Sequence, residues 1–440
     1  MTGTRAETPG GGGPVWLSLR GDRVLATYLV GESTSLMGTS LHAVGLPVIA
    51  ILYLHASATQ ATVLYLFGQV PNLLFTLPAG ALADRYPAKP LLVGADLTAA
   101  CLVAVIPFAA AAGVLSIPVL AGVALLLGTV TVLRQAAACT ILPQLVAPPL
   151  LHRATSVQEA ASGASSTGGT FLGTAVIAAT GAAHAITLDC VSYLVSAWCT
   201  SRIPSRPRPR KDPHGKLSTE VREGALYVAH HPVLRPLALC LGGTGAGAGI
   251  ISAVSSWYLL SVVETGPTGL GVIMGLSGAG YVVGALASRP LTDRLGPGRV
   301  LIASMALYPL MEVPLLLAGR GPWWVAALAV AAAVQLAAAA CATATVRVVR
   351  QQLCPPELHA RTQQTSTWLV AGSRPLAALA ATALAATAGV WTTLLTGTFV
   401  LAGTAVALWA SPVRHLTVMP ADSSPDTLPF TTGPKGYSHG

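Results

Sequence analysis

Residues 80–89 read Gly-Ala-Leu-Ala-Asp-Arg-Tyr-Pro-Ala-Lys. An apolar run over residues 61–82 leads into this charged stretch, and a second run over residues 91–112 follows it. A helix needs about 20 apolar residues to cross a bilayer, and both runs meet that length. We therefore predict a short charged hairpin between two membrane-spanning helices.

The composition supports a membrane protein along most of the chain. Of the 440 residues, 53% are hydrophobic and 9% are charged, whereas an ordinary soluble domain carries about 25% charged residues. The formal net charge of +9 is not that of a nucleic-acid binder, because the basic residues sit in short loops between apolar runs. No phosphate-binding loop or dinucleotide motif is present, and the seven cysteines lack metal-ligand spacing. We expect no enzyme activity, no cofactor, no metal and no nucleic acid.

Twelve apolar runs follow one another along the chain. They cover residues 22–54, 59–83, 90–112, 117–142, 155–181, 184–203, 233–262, 268–291, 298–319, 322–349, 364–388 and 390–411. Period-two alternation, which a membrane β-barrel needs, is absent from these runs. Helices satisfy their own backbone hydrogen bonds in lipid, so we predict an all-α membrane protein with twelve transmembrane helices.

The distribution of basic residues predicts the orientation. If the N-terminus is cytoplasmic, all but three of the 25 lysines and arginines fall on the cytoplasmic side, the exceptions being Arg134, Arg374 and Arg320. We expect a multi-pass protein of the inner or plasma membrane with both termini in the cytoplasm. A disordered tail (1–20), a first six-helix half (21–203), a cytoplasmic linker (204–232), a second half (233–411) and a disordered tail (412–440) complete the predicted organisation. The basic residues of the linker are interpreted as an anchor near anionic lipids, or as a regulatory partner site.

An internal repeat favours two equivalent halves. Residues 148–152, Pro-Pro-Leu-Leu-His, return as Pro-Pro-Glu-Leu-His at residues 355–359. The pair Asp84-Arg85 returns as Asp293-Arg294 at almost the same spacing. Each match follows the corresponding helix of its half, which indicates a duplicated six-helix unit.

The hairpin resembles the loop motif of the major facilitator superfamily, G-x-L-A-D-R-x-G-[RK]-[RK]. The matching residues are Gly80, Leu82, Ala83, Asp84, Arg85 and Lys89. Pro87 stands where the motif has glycine, and Ala88 stands where it has a basic residue. This resemblance implies two six-helix pseudo-repeats around a central cavity. It also implies that Asp84 meets the start of the eleventh helix and steadies the state closed to the cytoplasm.

Further segments resemble a bacterial, often actinobacterial, exporter group that includes macrolide efflux pumps and the enterobactin exporter. They are residues 31–33, 35–38, 43–47, 142–146, 168–173, 188–194, 223–224 and 231–235. Related drug-exporter groups carry a Gly-Pro pair in the fifth helix, where this chain has Gly168-Gly169. The resemblance implies efflux of a drug, antibiotic or secondary metabolite by proton antiport.

Charged side chains inside apolar runs are candidates for chemistry, because each costs about 2.5–3.5 kcal/mol at mid-helix. They are Glu32, Asp96, Arg134, Glu159, Asp189, Glu312 and Arg374. We interpret Glu32, about 15 Å into the first helix, as the first proton-carrier candidate, with a hydrogen-bonded structural carboxyl as the alternative. Glu159 and Asp189 are further candidates for coupling or for the cavity, and Asp96 is interpreted as a packing or gate pair.

Two arginines are interpreted differently from the carboxylates because arginine keeps its proton. Arg134 and Arg374 are each expected either to hold an anionic group of the substrate or to form an interhelical ion pair. A gate role is expected for the hairpin residues Gly80, Asp84, Arg85 and Lys89, and for Asp293 and Arg294 in the second copy. The alternative for the hairpin is a solvated, positively charged loop.

These features predict a secondary transporter that exports a small amphipathic molecule, with protons, substrate and membrane lipids as its partners and a monomer as its state. No nucleotide site is present, so an ion gradient is the expected energy source. Two alternatives stay open: proton-coupled uptake of a polar solute, and a membrane scaffold or sensor that transports nothing. A dense cluster of buried polar residues would favour uptake.

Overall fold

The computed structural model describes residues 23–146, 150–204, 226–354 and 359–416, and these residues form long helices with short connections. The helices are α1 (Arg23–Val48, continued by a π-helical turn, Ile49–Tyr53), α2 (Ala58–Arg85), α3 (Ala88–Ala111), α4 (Ile117–Leu145), α5 (Leu151–Thr180), α6 (Ala182–Ser201), α7 (Leu234–Ser261), α8 (Gly266–Leu295), α9 (Pro297–Leu310), α10 (Val313–Leu317), α11 (Pro322–Leu353), α12 (His359–Thr387) and α13 (Val390–Trp409). The tails and most of the predicted linker lie outside the described residues, so the predicted domain boundaries stay predictions.

The described helices confirm the predicted all-α membrane fold. The ninth span differs from the prediction because it is broken into α9 and α10 at Met311 and Glu312. Pro309 lies near the end of α9, and Pro314 lies in the first turn of α10. Proline lacks a backbone N–H and favours a helix start over a helix interior, which accounts for the break.

Eight segments of the described chain are long and apolar enough to cross a membrane by composition alone. The long helices α2, α5, α6 and α12 are not among them. Of these four, α2 packs on α12 and α5 packs on α8, so three lie where the two halves meet. A helix that faces protein on several sides needs less apolar surface than one that faces lipid.

Helix packing follows the same plan in both halves. In the first half α1 packs on α5 and α6, α2 on α4, and α3 on α4 and α6. In the second half α7 packs on α12 and α13, α8 on α11, and α9 on α11 and α13. Since the broken ninth span counts as one unit, these two sets of contacts are equivalent. The repeated sequence matches therefore correspond to a repeated structure.

Two glycine runs provide the close approaches between helices that small residues permit. In α7, Gly243 and Gly247 face α13, while Gly245 and Gly249 face α12. In α8, three glycines face α5: Gly271 meets Thr174, Gly275 meets the Phe171 ring, and Gly278 meets Thr167. Both runs thus serve helix packing.

The two ends of the bundle are packed differently. At the end opposite the 80–89 hairpin, here called the far end, one hydrophobic core joins the halves, with Val48 and Ile51 beside Tyr258 and Leu259. At the hairpin end each half has its own core, one around Leu92 and the other around Leu301. The halves are thus joined at the far end and have separate cores at the hairpin end.

The contact between α5 and α8 is likewise closer at the far end than at the hairpin end. A methyl group placed on Gly275 would lie 2.6 Å from Phe171, and one on Gly278 would lie 3.0 Å from Thr167. Closer to the hairpin end, one on Gly163 would lie 3.8 Å from Val282. The two helices therefore diverge toward the hairpin end.

Candidate functional site: a buried charge network and a cavity between the halves

Arg134 of α4 is the centre of a charge network inside the first half. Its Nη2 donates to Glu32 Oε2 of α1 at 2.7 Å, and its Nε donates to Asp96 Oδ1 of α3 at 2.7 Å. The other oxygen of Asp96 accepts a hydrogen bond of 2.6 Å from Ser196 Oγ of α6. The network therefore ties together four helices of one half.

One guanidinium thus faces two carboxylates, which leaves one negative charge in excess when both are ionised. A single bound proton would bring the net charge of these three side chains to zero. The Asp96 side chain is 1% exposed and the Glu32 side chain is 12% exposed. Glu32 is therefore the member of this pair that water reaches more readily.

Close packing of α1 on α6 places Glu32 in this network. Gly31 lies against Cys199 of α6, where a methyl group would come within 2.8 Å of the Cys199 Cβ. Gly38, two turns further along α1, lies against Ser192 and Asp189 of the same helix. A larger residue at either position would push α1 away from α6 and lengthen the contact between Glu32 and Arg134.

A second polar pair lies further toward the far end of the same two helices. His42 Nδ1 of α1 is 3.3 Å from Asp189 Oδ2 of α6, and the Asp189 side chain is fully buried. Tyr193, one turn from Asp189, shares a hydrogen bond of 3.1 Å with Thr39 and interacts electrostatically with Asp189, Asp96 and Arg134. Thr39 and Tyr193 thus form a further polar contact between α1 and α6.

A cavity with a volume of about 510 Å³ lies between the halves. It is lined by α1, α2, α4, α7, α8, α11 and the region of the α9–α10 break. Its wall is mostly apolar, and the lining segments of α1, α2, α7 and α8 all belong to the far-end parts of their helices. The cavity therefore lies toward the far end of the bundle.

The polar side chains of this mostly apolar wall include Tyr65, Gln69, Tyr308, Glu312, Gln335 and several serines. Glu312 is buried and accepts a hydrogen bond from the Gln335 amide, which also donates to the Tyr308 carbonyl oxygen at 3.3 Å. The break between α9 and α10 thus places a carboxylate at the cavity wall.

Arg374 of α12 is not among the residues that line the cavity. Its side chain is exposed. It forms no ion pair with any carboxylate whose side chain the structure describes. The expectation of an interhelical ion pair therefore fits Arg134 but finds no described partner at Arg374.

The hairpin residues show one clear structural contact. Lys89 Nζ at the start of α3 donates to the Ile203 carbonyl oxygen at 2.7 Å, just after the end of α6. A cation is favourable near the C-terminal end of a helix, where carbonyl groups lack partners. Arg85 is exposed, and Gly80 has no atom near the position of a Cβ. The side chain of Asp84 lies outside the described part of the structure.

The second copy of the motif, Asp293-Arg294, is exposed on the surface. Asp293 is paired with Arg289 of its own helix at 3.9 Å, and both side chains are largely exposed, as is Arg294. No described residue of the other half contacts Asp293 by an ion pair.

The structure joins only some of the candidates that the sequence indicated. Glu32 and Arg134 meet, and Asp189 pairs with His42. Arg374 has no carboxylate partner among the described side chains, and the Glu159 side chain lies outside the described part. None of Glu32, Arg134, Asp189 and Arg374 lines the cavity. Asp96, interpreted from the sequence as a packing or gate pair, belongs to the Arg134 network. Its mid-helix charge was the only signal for it in the sequence.

Comparison with known proteins identifies the family to which this chain belongs. The family of transmembrane secretion effectors within the major facilitator superfamily matches residues 17–430. A comparison with curated proteins found no match.

Solved structures with the same fold are transporters. A mutant of the nucleoside transporter NupG superposes with a TM-score of 0.70 at 13% identity, over 88% of this chain and 99% of that one. A bacterial homologue of the iron transporter ferroportin in an inward-facing state gives 0.69 at 15% identity, over 88% and 98%. A bacterial homologue of the lysosomal transporter Spinster, inward-facing and unoccupied, gives 0.64 at 14% identity, over 92% and 98%. At these identities the likeness shows the fold alone.

Proposed function

Because this chain belongs to the transmembrane secretion effector family of the major facilitator superfamily, and is therefore a multi-pass membrane transporter, we propose that it exports a small amphipathic molecule in exchange for protons. The observation that carries the proton coupling is the network of Glu32, Asp96 and Arg134. Two carboxylates on one guanidinium, inside an apolar bundle, form a group that gains or loses one proton between two charge states. Glu32 is the proton carrier in this proposal, and Arg134 and Asp96 hold it in place.

The direction of transport rests on the orientation and on the family. The basic residues favour placing the hairpin end in the cytoplasm, with the chain in the cell membrane and both termini inside. The separate cores at that end then describe a state open to the cytoplasm, from which an exporter loads its substrate. A family described as secretion effectors supports export over uptake.

The mostly apolar cavity supports an amphipathic substrate. A polar nutrient would need a polar cavity wall, and the buried polar residues of the first half do not line the cavity. The polar cluster expected for an uptake system thus exists, but it is not at the site where a substrate would bind.

Helix α1 offers a physical link between proton and substrate. It carries Glu32, and it also contributes Pro47, Ala50 and Ile51 to the cavity wall. The π-helical turn after Pro47 is a local departure from regular helix at the cavity, and such turns are frequent at functional sites. A change in the charge of Glu32 that shifts α1 would therefore be felt at the cavity.

The proposal is tested with everted vesicles that contain the protein, and a panel of fluorescent amphiphiles is supplied outside them. We expect accumulation in the vesicles that depends on an imposed proton gradient, and we expect it to cease when the gradient is collapsed. Glu32→Gln should stop uphill transport but leave downhill exchange, because the cavity is unchanged. Glu264→Gln, in a loop and paired with Arg320, is the matched control and should transport normally. Transport driven by ATP alone, or uphill transport that survives in Glu32→Gln, would refute the proton coupling assigned here.

A further inference from the structure

We propose that the cavity selects amphipathic organic cations, and that Glu312 is the counter-charge for an ammonium group on the substrate. This inference rests on the proposed function only in taking the cavity as the substrate site. The substrate it describes has an apolar body and one basic group at its end.

The wall of the cavity carries a single kind of charge. Among the described residues that line it, Glu312 is the only one with a charged side chain. The polar groups around it belong to tyrosine, tryptophan, glutamine and serine side chains, which are neutral at neutral pH. The Arg134 network and Arg374 are not part of the wall. An ionised Glu312 therefore gives the cavity a negative charge that no described wall residue balances.

The side chain of Glu312 is nearly buried and has no cation of its own. The residue is 7% exposed, and none of the ion pairs among the described residues includes it. Its Oε1 accepts from the Gln335 amide, whereas its Oε2 accepts no hydrogen bond from any described residue. A charge inside the membrane is costly unless it is paired or serves a ligand. One oxygen of Glu312 is thus left for a donor on a ligand.

The break between α9 and α10 holds this carboxylate at the wall. In a regular helix the Glu312 N–H would donate to the Tyr308 carbonyl oxygen, but here it donates to the Pro309 carbonyl oxygen at 3.2 Å. The Tyr308 carbonyl oxygen accepts from the Gln335 amide instead, at 3.3 Å. The same amide donates to Glu312. Gln335 of α11 therefore joins the backbone at the break to the carboxylate and fixes its position.

The end of α9 makes the same place more favourable for a cation. Glu312 comes directly after Met311, the residue that caps the C-terminus of α9. Carbonyl groups at the C-terminal end of a helix carry partial negative charge, which disfavours an anion and favours a cation. The opposing field at the start of α10 comes from a helix of only five residues. The carboxylate and the end of α9 would therefore both attract an ammonium group.

The rest of the wall suits the remainder of such a ligand. Apolar side chains would contact its body, among them Leu64, Ile251, Leu270 and Ile273. Three aromatic residues also line the cavity, Tyr65, Trp257 and Tyr308, and the faces of aromatic rings attract cations. Apolar walls with a few converging polar groups are typical of small-molecule sites. The arrangement favours a ligand that is apolar along its length and positively charged at one end.

The test compares three probes that share a dansyl-octyl body and differ at one end: 8-(dansylamino)octylamine, 8-(dansylamino)octan-1-ol and 8-(dansylamino)octanoic acid. Binding to purified protein in phosphatidylcholine nanodiscs is measured by dansyl fluorescence at neutral pH, with empty nanodiscs subtracted. Phosphatidylcholine has no net charge, so the lipid itself does not attract the amine. We expect the amine to bind the unmodified protein at least tenfold more tightly than the alcohol or the acid.

Glu312→Gln keeps the size of the side chain and an acceptor for Gln335 but removes the charge. It should weaken binding of the amine at least tenfold and change binding of the alcohol less than twofold. Glu312→Asp keeps the charge on a shorter side chain, so it should weaken the amine less than Glu312→Gln does. Glu264→Gln is the matched control, because it removes a carboxylate that is paired with Arg320 in a loop, and it should bind all three probes as the unmodified protein does.

Failure of the amine to bind, equal binding of amine and alcohol, or an unchanged amine affinity in Glu312→Gln would overturn the inference. Preference for the acid would do so as well. If Glu312→Gln does not fold, Glu312→Asp decides, because it should lose amine affinity and keep alcohol affinity. An unchanged amine affinity in that variant would equally rule out Glu312 as the counter-charge.

The outcomes separate this inference from the proposed function. Proton-driven export of the alcohol or the acid without binding of the amine would overturn the cation preference alone. Binding of the amine, lost in Glu312→Gln, without any proton-driven transport would overturn the coupling alone.

Discussion

Trp257 of α7 donates its indole N–H to the carbonyl oxygen of Ala56, 3.0 Å away, and so connects the two halves at the far end. Ala56 lies between the π-helical turn and α2, and Trp257 is part of the cavity wall. This hydrogen bond is part of the contact that must break if the far end opens.

Trp257→Phe removes this hydrogen bond and keeps most of the ring. A net hydrogen bond contributes about 0.5–1.5 kcal/mol, so the population open at the far end should rise by up to about tenfold. Spin labels at Tyr53 and Val262, in a cysteine-free background, measure the distance across the far end. Trp323→Phe, at a largely exposed position, should leave the distance distribution as it was, and an equal shift in both variants would contradict the prediction.

Arg134→Gln should destabilise the protein strongly, because two carboxylates lose their shared cation inside the bundle. Breaking a buried ion pair in this way costs about 3–5 kcal/mol. Glu32→Gln should change stability little, because Arg134 and Asp96 remain as a neutral pair. Thermal unfolding of the purified variants gives the order, and a greater loss in Glu32→Gln than in Arg134→Gln would show that the network is assigned wrongly.

We expect His231 to make the stability of the protein depend on pH through a contact at the start of α7. Its Nδ1 accepts hydrogen bonds from the backbone N–H groups of Val233 and Leu234, both at 3.2 Å. Burial lowers the pKa of His231 below its ordinary value, and protonation would remove the acceptor. The contribution of this cap is present above about pH 6.5 and is lost as the pH falls toward the lowered pKa, because the unfolded chain takes up the proton first.

His231→Asn keeps an acceptor for the helix N-terminus but does not titrate. Thermal unfolding between pH 5 and 8 should therefore lose part of its acid dependence in this variant. The cap is expected to contribute about 0.5–2 kcal/mol. His230→Asn, at the exposed neighbouring position, should keep the dependence of the unmodified protein, and the same flattening in both variants would speak against the cap.

Asp84→Asn should slow transport far more than it lowers the amount of folded protein. Asp84 ends α2, where the helix dipole disfavours an anion, so it needs a partner elsewhere. Asp293→Asn should have the smaller effect, because Asp293 is largely exposed and is paired within its own helix. Transport rates divided by the amount of protein in the membrane decide between the two roles. Loss of expression in proportion to activity in Asp84→Asn would indicate packing rather than gating.

The fold could be predicted because apolar length alone identifies most spans. The predicted runs and the observed helices agree within a few residues at most ends, and the repeated Asp-Arg pairs fall at the ends of α2 and α8. The break at Glu312 escaped prediction. Pro309 and Pro314 lie inside one apolar run. A hydropathy profile reflects side-chain polarity and not the backbone N–H groups that prolines lack, so it does not reveal a break in a helix.

The site was predictable only in part. The cost of a mid-helix charge singled out Glu32 and Arg134 as individual residues. Nothing in the spacing of Glu32, Asp96 and Arg134 indicates that they meet, because that contact depends on how α1, α3 and α4 pack. The position of the cavity likewise depends on which end of the bundle is joined, which a sequence of apolar runs does not specify.

The Arg134 network and the cavity have no residue in common. Mutations that reshape the cavity wall therefore need not disturb the paired charges, and the two can change independently over evolutionary time. A chain built in this way can change its cavity by a few substitutions on α7, α8 or α11 and keep the paired charges of the Arg134 network. Hybrids that join the first half of this protein to the second half of a relative should accordingly keep the Arg134 network and change only the part of the cavity wall that the second half contributes.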